Sequence, residues 1–148
     1  MRALLQRVRH AQVEVDGQRV GEIGPGWLIL LGVGHGDTQG TADQLAEKVA
    51  LLRCFEDANG KTNLSILDVG GEVLLVSQFT LYADLSRGRR PGFTNAAPPG
   101  EANALVDSFG QALRRHGLKV EQGLFGAHML VSLANDGPFT IWLDTDGA

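Results

Sequence analysis

The run Gly24-Pro25-Gly26-Trp27-Leu28-Ile29-Leu30-Leu31-Gly32 decides how this chain must be built. A Gly-Pro-Gly turn leads into five consecutive apolar residues. Side chains alternate between the two faces of a strand, so a run with no polar member must be buried on both faces. Something has to cover each side of it. Going forward, Gly70-Gly71 opens Glu72–Tyr82, whose first half is a second buried strand. Ser77, Gln78 and Thr80 then place polar groups on what reads as interior backbone, where each needs a partner.

The flanking segments supply the cover. Ala3–Arg9 reads as a first strand. Gln12-Val13-Glu14-Val15 and Arg19-Val20-Gly21-Glu22-Ile23 flank Asp16-Gly17, the signal of a tight hairpin. Thr41-Ala42-Asp43-Gln44 has capping-box spacing. It predicts a helix with Leu45, Val49 and Leu52 on one stripe, ending near Phe55. Lys61–Ile66 reads as a short strand or extended segment. Pro98-Pro99-Gly100-Glu101 opens a second helix that buries Leu105, Phe109, Ala112 and Leu113 and stops at Gly117. Strands are expected from Lys119, over Ala127–Leu133, and over Thr140–Leu143. Between the last two, Ala134-Asn135-Asp136-Gly137-Pro138-Phe139-Thr140 carries turn chemistry. The fold class is therefore α/β: a mixed single domain over residues 1–148, its many short strands suiting two packed, barrel-like β-sheets or a half-barrel, covered by two helices in β/β/α layers.

Composition narrows the function classes. The chain has 148 residues, is 43% hydrophobic and 20% charged, and carries a formal charge of −4. That charge disfavours wrapping a nucleic-acid backbone, though not grasping one end through a local patch. No apolar run approaches the roughly 20 residues that span a bilayer, so no membrane association is expected. Met1–Arg7 is broken by charge too early for a signal peptide, and the single cysteine, Cys54, fits a reducing compartment. The expected location is cytoplasmic.

Chemical motifs are few. Gly32-Val33-Gly34-His35-Gly36-Asp37 lacks the third glycine of a dinucleotide loop and the lysine of a P-loop, so it reads as a plain connection. His10, His35, His116 and His128 lie in different elements, and one cysteine cannot build a thiolate cluster; no metal and no cofactor are expected. Ser77 lacks the glycines of a nucleophile elbow, and no Ser–His–acid set can be assembled. Ser86-Arg87-Gly88-Arg89-Arg90 is the one concentrated basic patch, a solvated surface or a phosphate contact. Two hydroxyl-bearing segments remain, Ser77-Gln78-Phe79-Thr80 and Gly137-Pro138-Phe139-Thr140.

At these two segments the sequence resembles the D-aminoacyl-tRNA deacylase family, chirality-proofreading enzymes. The likeness extends to Gln6-Arg7-Val8, Gly21-Glu22-Ile23-Gly24, Asn63-Leu64-Ser65 and Arg90-Pro91, and covers essentially the whole chain in order. Thr62, Gly92 and Phe139 depart from the family's usual Met, Ser and Val.

The resemblance implies hydrolysis of the ester joining a D-amino acid, or glycine mischarged on alanine tRNA, to the 3′-terminal adenosine of tRNA. It implies a homodimer with active sites at the interface, in which Gly137-Pro138, as a cis pair, reaches into the partner's pocket. Backbone carbonyls there would exclude L-amino acids, a selection by rejection. Ser77, Gln78, Phe79 and Thr80 are the expected catalytic segment, with backbone N–H groups around Phe79 and Thr80 and the Ser77 hydroxyl polarising the ester carbonyl. Gly137, Pro138, Phe139 and Thr140 are the expected chiral selectors, and Met129 and Phe125 expected pocket walls. Thr80 and Thr140 are candidate nucleophiles; hydrolysis assisted by the substrate's 2′-hydroxyl is preferred to either. Alternative readings are a related trans-editing deacylase acting on an L-aminoacyl-tRNA, against which Ser77 before Gln78 speaks, and a non-catalytic nucleic-acid-binding protein.

Overall fold

The computed structural model describes residues 1–147. Its centre is a parallel pair, β3 (Gly26–Gly32) beside β6 (Glu72–Ser77), in register from Gly26↔Glu72 to Leu31↔Ser77. Both runs are buried on both faces, and their alternation explains the two cores. Trp27, Ile29, Leu31, Val73 and Leu75 point into a cluster with the long helices, whereas Leu28, Leu74 and Val76 point into a second one with Val8, Val13 and Ile23. Gly26 is where the pair starts: at φ +156° an added Cβ would lie 1.8 Å from the Glu72 carbonyl oxygen, so only glycine permits this approach.

The second core exists because β1 (Arg2–Val15) is long and changes partner along its length. Its first half pairs with β3 and its second half with β2 (Gln18–Ile23), through the Asp16-Gly17 turn, both of whose residues have positive φ as a tight hairpin requires. The bend carries β2 over the sheet, where Gly21 lies against Leu74 and the Gln122 backbone. The two expected packed sheets are thus halves of one six-stranded, nearly barrel-shaped sheet, completed by β7 (Lys119–Gln122) and β8 (Leu130–Asp144). A small separate ribbon joins β4 (Phe55–Glu56) to β5 (Thr62–Leu64).

Helices α1 (Gln39–Leu51) and α3 (Pro99–Arg115) cover the other face as expected. Their boundaries bring corrections. The N-cap of α1 is Thr38, one turn before the expected Thr41: Thr38 and Thr41 exchange reciprocal side-chain-to-backbone bonds of 3.1 and 3.2 Å. The helix stops at Leu51, not Phe55, because Phe55 is paired with Leu64 and packs its ring edge-on to Trp27 at 5.1 Å. A single-turn helix, α2 (Ile66–Val69), replaces the end of the expected Lys61–Ile66 strand, since Ser65 and Asp68 form a second capping box.

The largest correction concerns Ala134–Thr140. It is no turn between strands but a bulge inside β8, which runs against β1 throughout. Asn135 faces Val8 and Thr140 faces Gln6, so Asp136–Phe139 oppose the single residue Arg7. Asn135 holds the bulge by accepting from the Phe139 N–H at 2.7 Å, and the Gly137-Pro138 peptide is cis. No helix among the described residues is long and apolar enough to cross a membrane.

Candidate active site

At Ser77 the chain leaves the sheet. The Gln78 N–H donates to the Leu31 carbonyl at 2.8 Å, and Phe79–Tyr82 wind into one 3-10 turn. The strand occupies the first half of Glu72–Tyr82 as expected, but the polar groups that follow are not in the interior: Ser77 and Gln78 are half-buried and Thr80 is exposed. The Gln78 amide donates to the Thr80 hydroxyl at 2.6 Å. The Phe79 and Thr80 N–H groups, at the head of the turn, donate to no described group.

This segment lies at the carboxyl end of parallel strands, where α/β sheets open toward ligands. A cavity of about 730 Å³ opens there, within the size range of small-molecule sites. Of the predicted residues, Ser77, Gln78, Phe79, Phe125 and Met129 line it. Thr80 stands outside the lining and acts on it through Gln78. Its remaining walls include Phe93, Thr94 and the Pro98-Pro99 start of α3, whose missing N–H groups leave that wall apolar. His35 and His128 also line it, and His35 Nε2 lies 2.6 Å from the Thr94 carbonyl oxygen, to which it donates in the tautomer protonated there. None of these was singled out as a site residue from sequence; they come from three separate loops with no shared spacing.

Phe79, 56% exposed, meets Phe93 edge-to-face at 4.9 Å at the cavity. A polar side pocket of about 270 Å³ shares Ser77 and Phe125 with the main one and adds Asn103, Asp107 and Gln122. Asp37, in the loop rejected as a phosphate site, accepts the Gly34 N–H at 2.7 Å and so fills that loop from within. Among the described residues no three His, Cys, Asp or Glu side chains gather into a possible metal site.

The second motif lies elsewhere. Gly137, Pro138, Phe139 and Thr140 do not line the cavity. Their bulge is anchored by Arg7, which is 7% exposed and donates from Nε to the Asp136 carbonyl at 3.0 Å and from a terminal nitrogen to the Cys54 carbonyl at 2.7 Å. The Arg7 guanidinium sits 4.5 Å over the Phe139 ring, and that ring lies 6.2 Å from Trp27. Burial raises the Cys54 thiol above its ordinary range despite the nearby Arg7, so the thiol stays protonated at neutral pH. Trp27 lies one residue inside the start of β3, and Leu31, beside Ser77, one residue inside its end. Four residues of strand, about 13 Å, separate the two motifs along the sheet within one chain. Gly137 and Pro138 are exposed, and β8 pairs only with β1, leaving its other edge free among the described residues.

A family model described as D-Tyr-tRNA(Tyr) deacylase matches residues 4–144, and the chain belongs to that family. A D-aminoacyl-tRNA deacylase of Thermomicrobium roseum is 63% identical over 98% of this chain and 94% of its own length. One from Thermosipho africanus is 55% identical over 98% and 97%. Among solved structures, a c-Myc DNA Unwinding Element Binding Protein superposes with TM-score 0.92 at 40% identity, covering 98% of this chain and 99% of its own. A probable eukaryotic D-amino acid tRNA deacylase shares the fold, with TM-score 0.81 at 19% identity over 96% and 97%.

Proposed function

We propose that this chain hydrolyses D-aminoacyl-tRNA, and glycine mischarged on alanine tRNA, with the 3′-terminal adenosine and its ester in the 730 Å³ cavity. The observation that carries the reading is that cavity, opening at Ser77–Thr80 in a chain 63% identical to a curated D-aminoacyl-tRNA deacylase. An aminoacyl ester is already activated, so a site that holds it, polarises its carbonyl and admits water suffices. The unpaired Phe79 and Thr80 N–H groups and the Ser77 hydroxyl are the donors for the developing oxyanion. The substrate's own 2′-hydroxyl assists the attacking water. Phe79 and Phe93 offer aromatic faces to the adenine, while Phe125 and Met129 wall the pocket.

Chirality is tested by a second copy of the chain. Within one chain Gly137-Pro138 is remote from the cavity and exposed, which supports a homodimer in which each bulge enters the partner's cavity. Its carbonyl groups occupy the space that an L-side chain needs, while D-residues and glycine pass. We place the enzyme in the cytoplasm with its tRNA substrate.

The test is deacylation of D- and L-tyrosyl-tRNA. Fast release of the D-amino acid with the L-ester left intact is expected. Equal rates would overturn chiral selection and favour an L-editing relative. The 40% identical DNA Unwinding Element Binding Protein favours a second reading, nucleic-acid binding without catalysis, which requires tight duplex binding and no esterase activity. The formal charge of −4 weighs against it.

A further inference from the structure

The cavity lining contains no lysine or arginine. A substrate that ends in a nucleic acid brings phosphodiesters with it, so any cation that meets them must lie outside the cavity. The loop joining two of its lining residues carries such cations. Arg87, Arg89 and Arg90 are exposed, and they enter no side-chain hydrogen bond or ion pair among the described residues. Elsewhere, Arg2, Arg9, Arg19, Arg115 and Lys119 are paired with acids, and Arg7, Arg53 and Arg114 are bonded to backbone carbonyls. Only Lys48 and Lys61 are otherwise without a partner among the described residues.

The loop is also tied to the cavity. Asp84 and Gly92 close its base with reciprocal backbone bonds of 2.7 and 2.9 Å. One leg runs back to Phe79 and the other forward to Phe93, and those two rings meet edge-to-face at the cavity. Asp84, the acid closest in sequence, is engaged by the Ser86 N–H and hydroxyl at 2.9 and 2.6 Å rather than by an arginine. Three unneutralised guanidinium groups within four residues repel one another unless an anion joins them, and phosphate is the anion their fork geometry fits.

We propose that the Arg87–Arg90 loop docks the phosphodiester backbone of the RNA whose 3′ end enters the cavity. This rests on the tRNA reading above. The cavity then recognises the terminal adenosine and amino acid, and the loop supplies the sequence-independent electrostatic affinity that an acidic chain otherwise lacks.

The test compares the wild-type chain with an Arg87→Gln/Arg89→Gln/Arg90→Gln variant, and with the corresponding triple lysine variant. Binding of deacylated tRNA is measured against salt, and hydrolysis of D-tyrosyl-tRNA is compared with that of D-tyrosyl-adenosine, which has no phosphate. Loss of three phosphate contacts makes the log–log salt slope shallower by about 2.7. From about 50 to 200 mM salt the wild-type affinity therefore falls about 40-fold more than that of the glutamine variant. Its KM for D-tyrosyl-tRNA rises with kcat unchanged, D-tyrosyl-adenosine hydrolysis is unaltered, and the lysine variant keeps the slope. An unchanged slope and KM overturn the proposal, as does an equal loss on both substrates. A wild-type chain that hydrolyses neither ester sinks the deacylase reading alone, because the salt slopes still decide the loop.

Discussion

Thr80 shows how a single residue's role depends on where its hydroxyl points. In sequence it is a candidate nucleophile. In the structure it is exposed, stands outside the cavity lining, and accepts a bond from the Gln78 amide. The hydroxyl is engaged in holding Gln78 at the rim, while the proposed oxyanion donor is the Thr80 backbone N–H, which alanine retains. Thr80→Ala is therefore expected to lower kcat by less than about tenfold, against the roughly 10²–10³ typical of losing an oxyanion donor. A loss beyond about 10⁴ with unchanged thermal stability would reinstate Thr80 as nucleophile. Arg7 illustrates the reverse case. It reads as an ordinary strand residue, yet it is buried and bonded to carbonyls of both the β8 bulge and the Cys54 segment.

At the scale of elements, the strands are joined at their amino ends by Glu72. It begins β6, accepts the N–H of Gly24 from the β2–β3 turn at 2.8 Å, and pairs with Lys119 of β7 at 3.1 Å. The Gly24 N–H first, and then Lys119, hold its carboxyl below the ordinary value of 4.5. Because the folded-state value is depressed, this stabilisation is present above the unfolded value and is lost as pH falls through the folded one. Glu72→Gln is expected to destabilise the protein by about 1 kcal/mol at pH 7. The difference in melting temperature should shrink once pH drops below about 4.5 and vanish when Glu72 is protonated. A difference that stays constant from pH 7 to pH 3 would show that the carboxylate charge is not what joins these strands.

For the molecule as a whole, the free edge of β8 is the feature that remains to be covered. It is a 15-residue edge strand on which Leu130 is 62% and Trp142 48% exposed. Long edge strands with apolar outer positions invite pairing with another chain. Light scattering is expected to give twice the chain mass. A Leu130→Glu/Trp142→Glu variant should move toward the monomer and lose deacylation of D-tyrosyl-tRNA in proportion. A wild-type chain that is monomeric and fully active would remove the partner's bulge from the mechanism.

The continuous apolar runs Trp27–Leu31 and Val73–Val76, the Asp16-Gly17 hairpin and the stripes of the two long helices determined the α/β fold from sequence alone. Each is a local pattern whose period or turn chemistry admits few structures. The family was legible in the same way, through two short motifs in order. The cap at Thr38 in place of Thr41 is local as well, because Thr41's own hydroxyl reciprocates from the third helical position. Two things were decided only in three dimensions. Asp136–Phe139 became a bulge because β1 runs unbroken beside them and Arg7 fills the space they leave. The cavity walls at His35, at Phe93 and Pro98, and at His128 converge from three loops, and such convergence leaves no periodic mark on the chain. Local interactions are written in neighbouring residues, whereas a site assembled across the sheet depends on contacts between residues far apart in sequence.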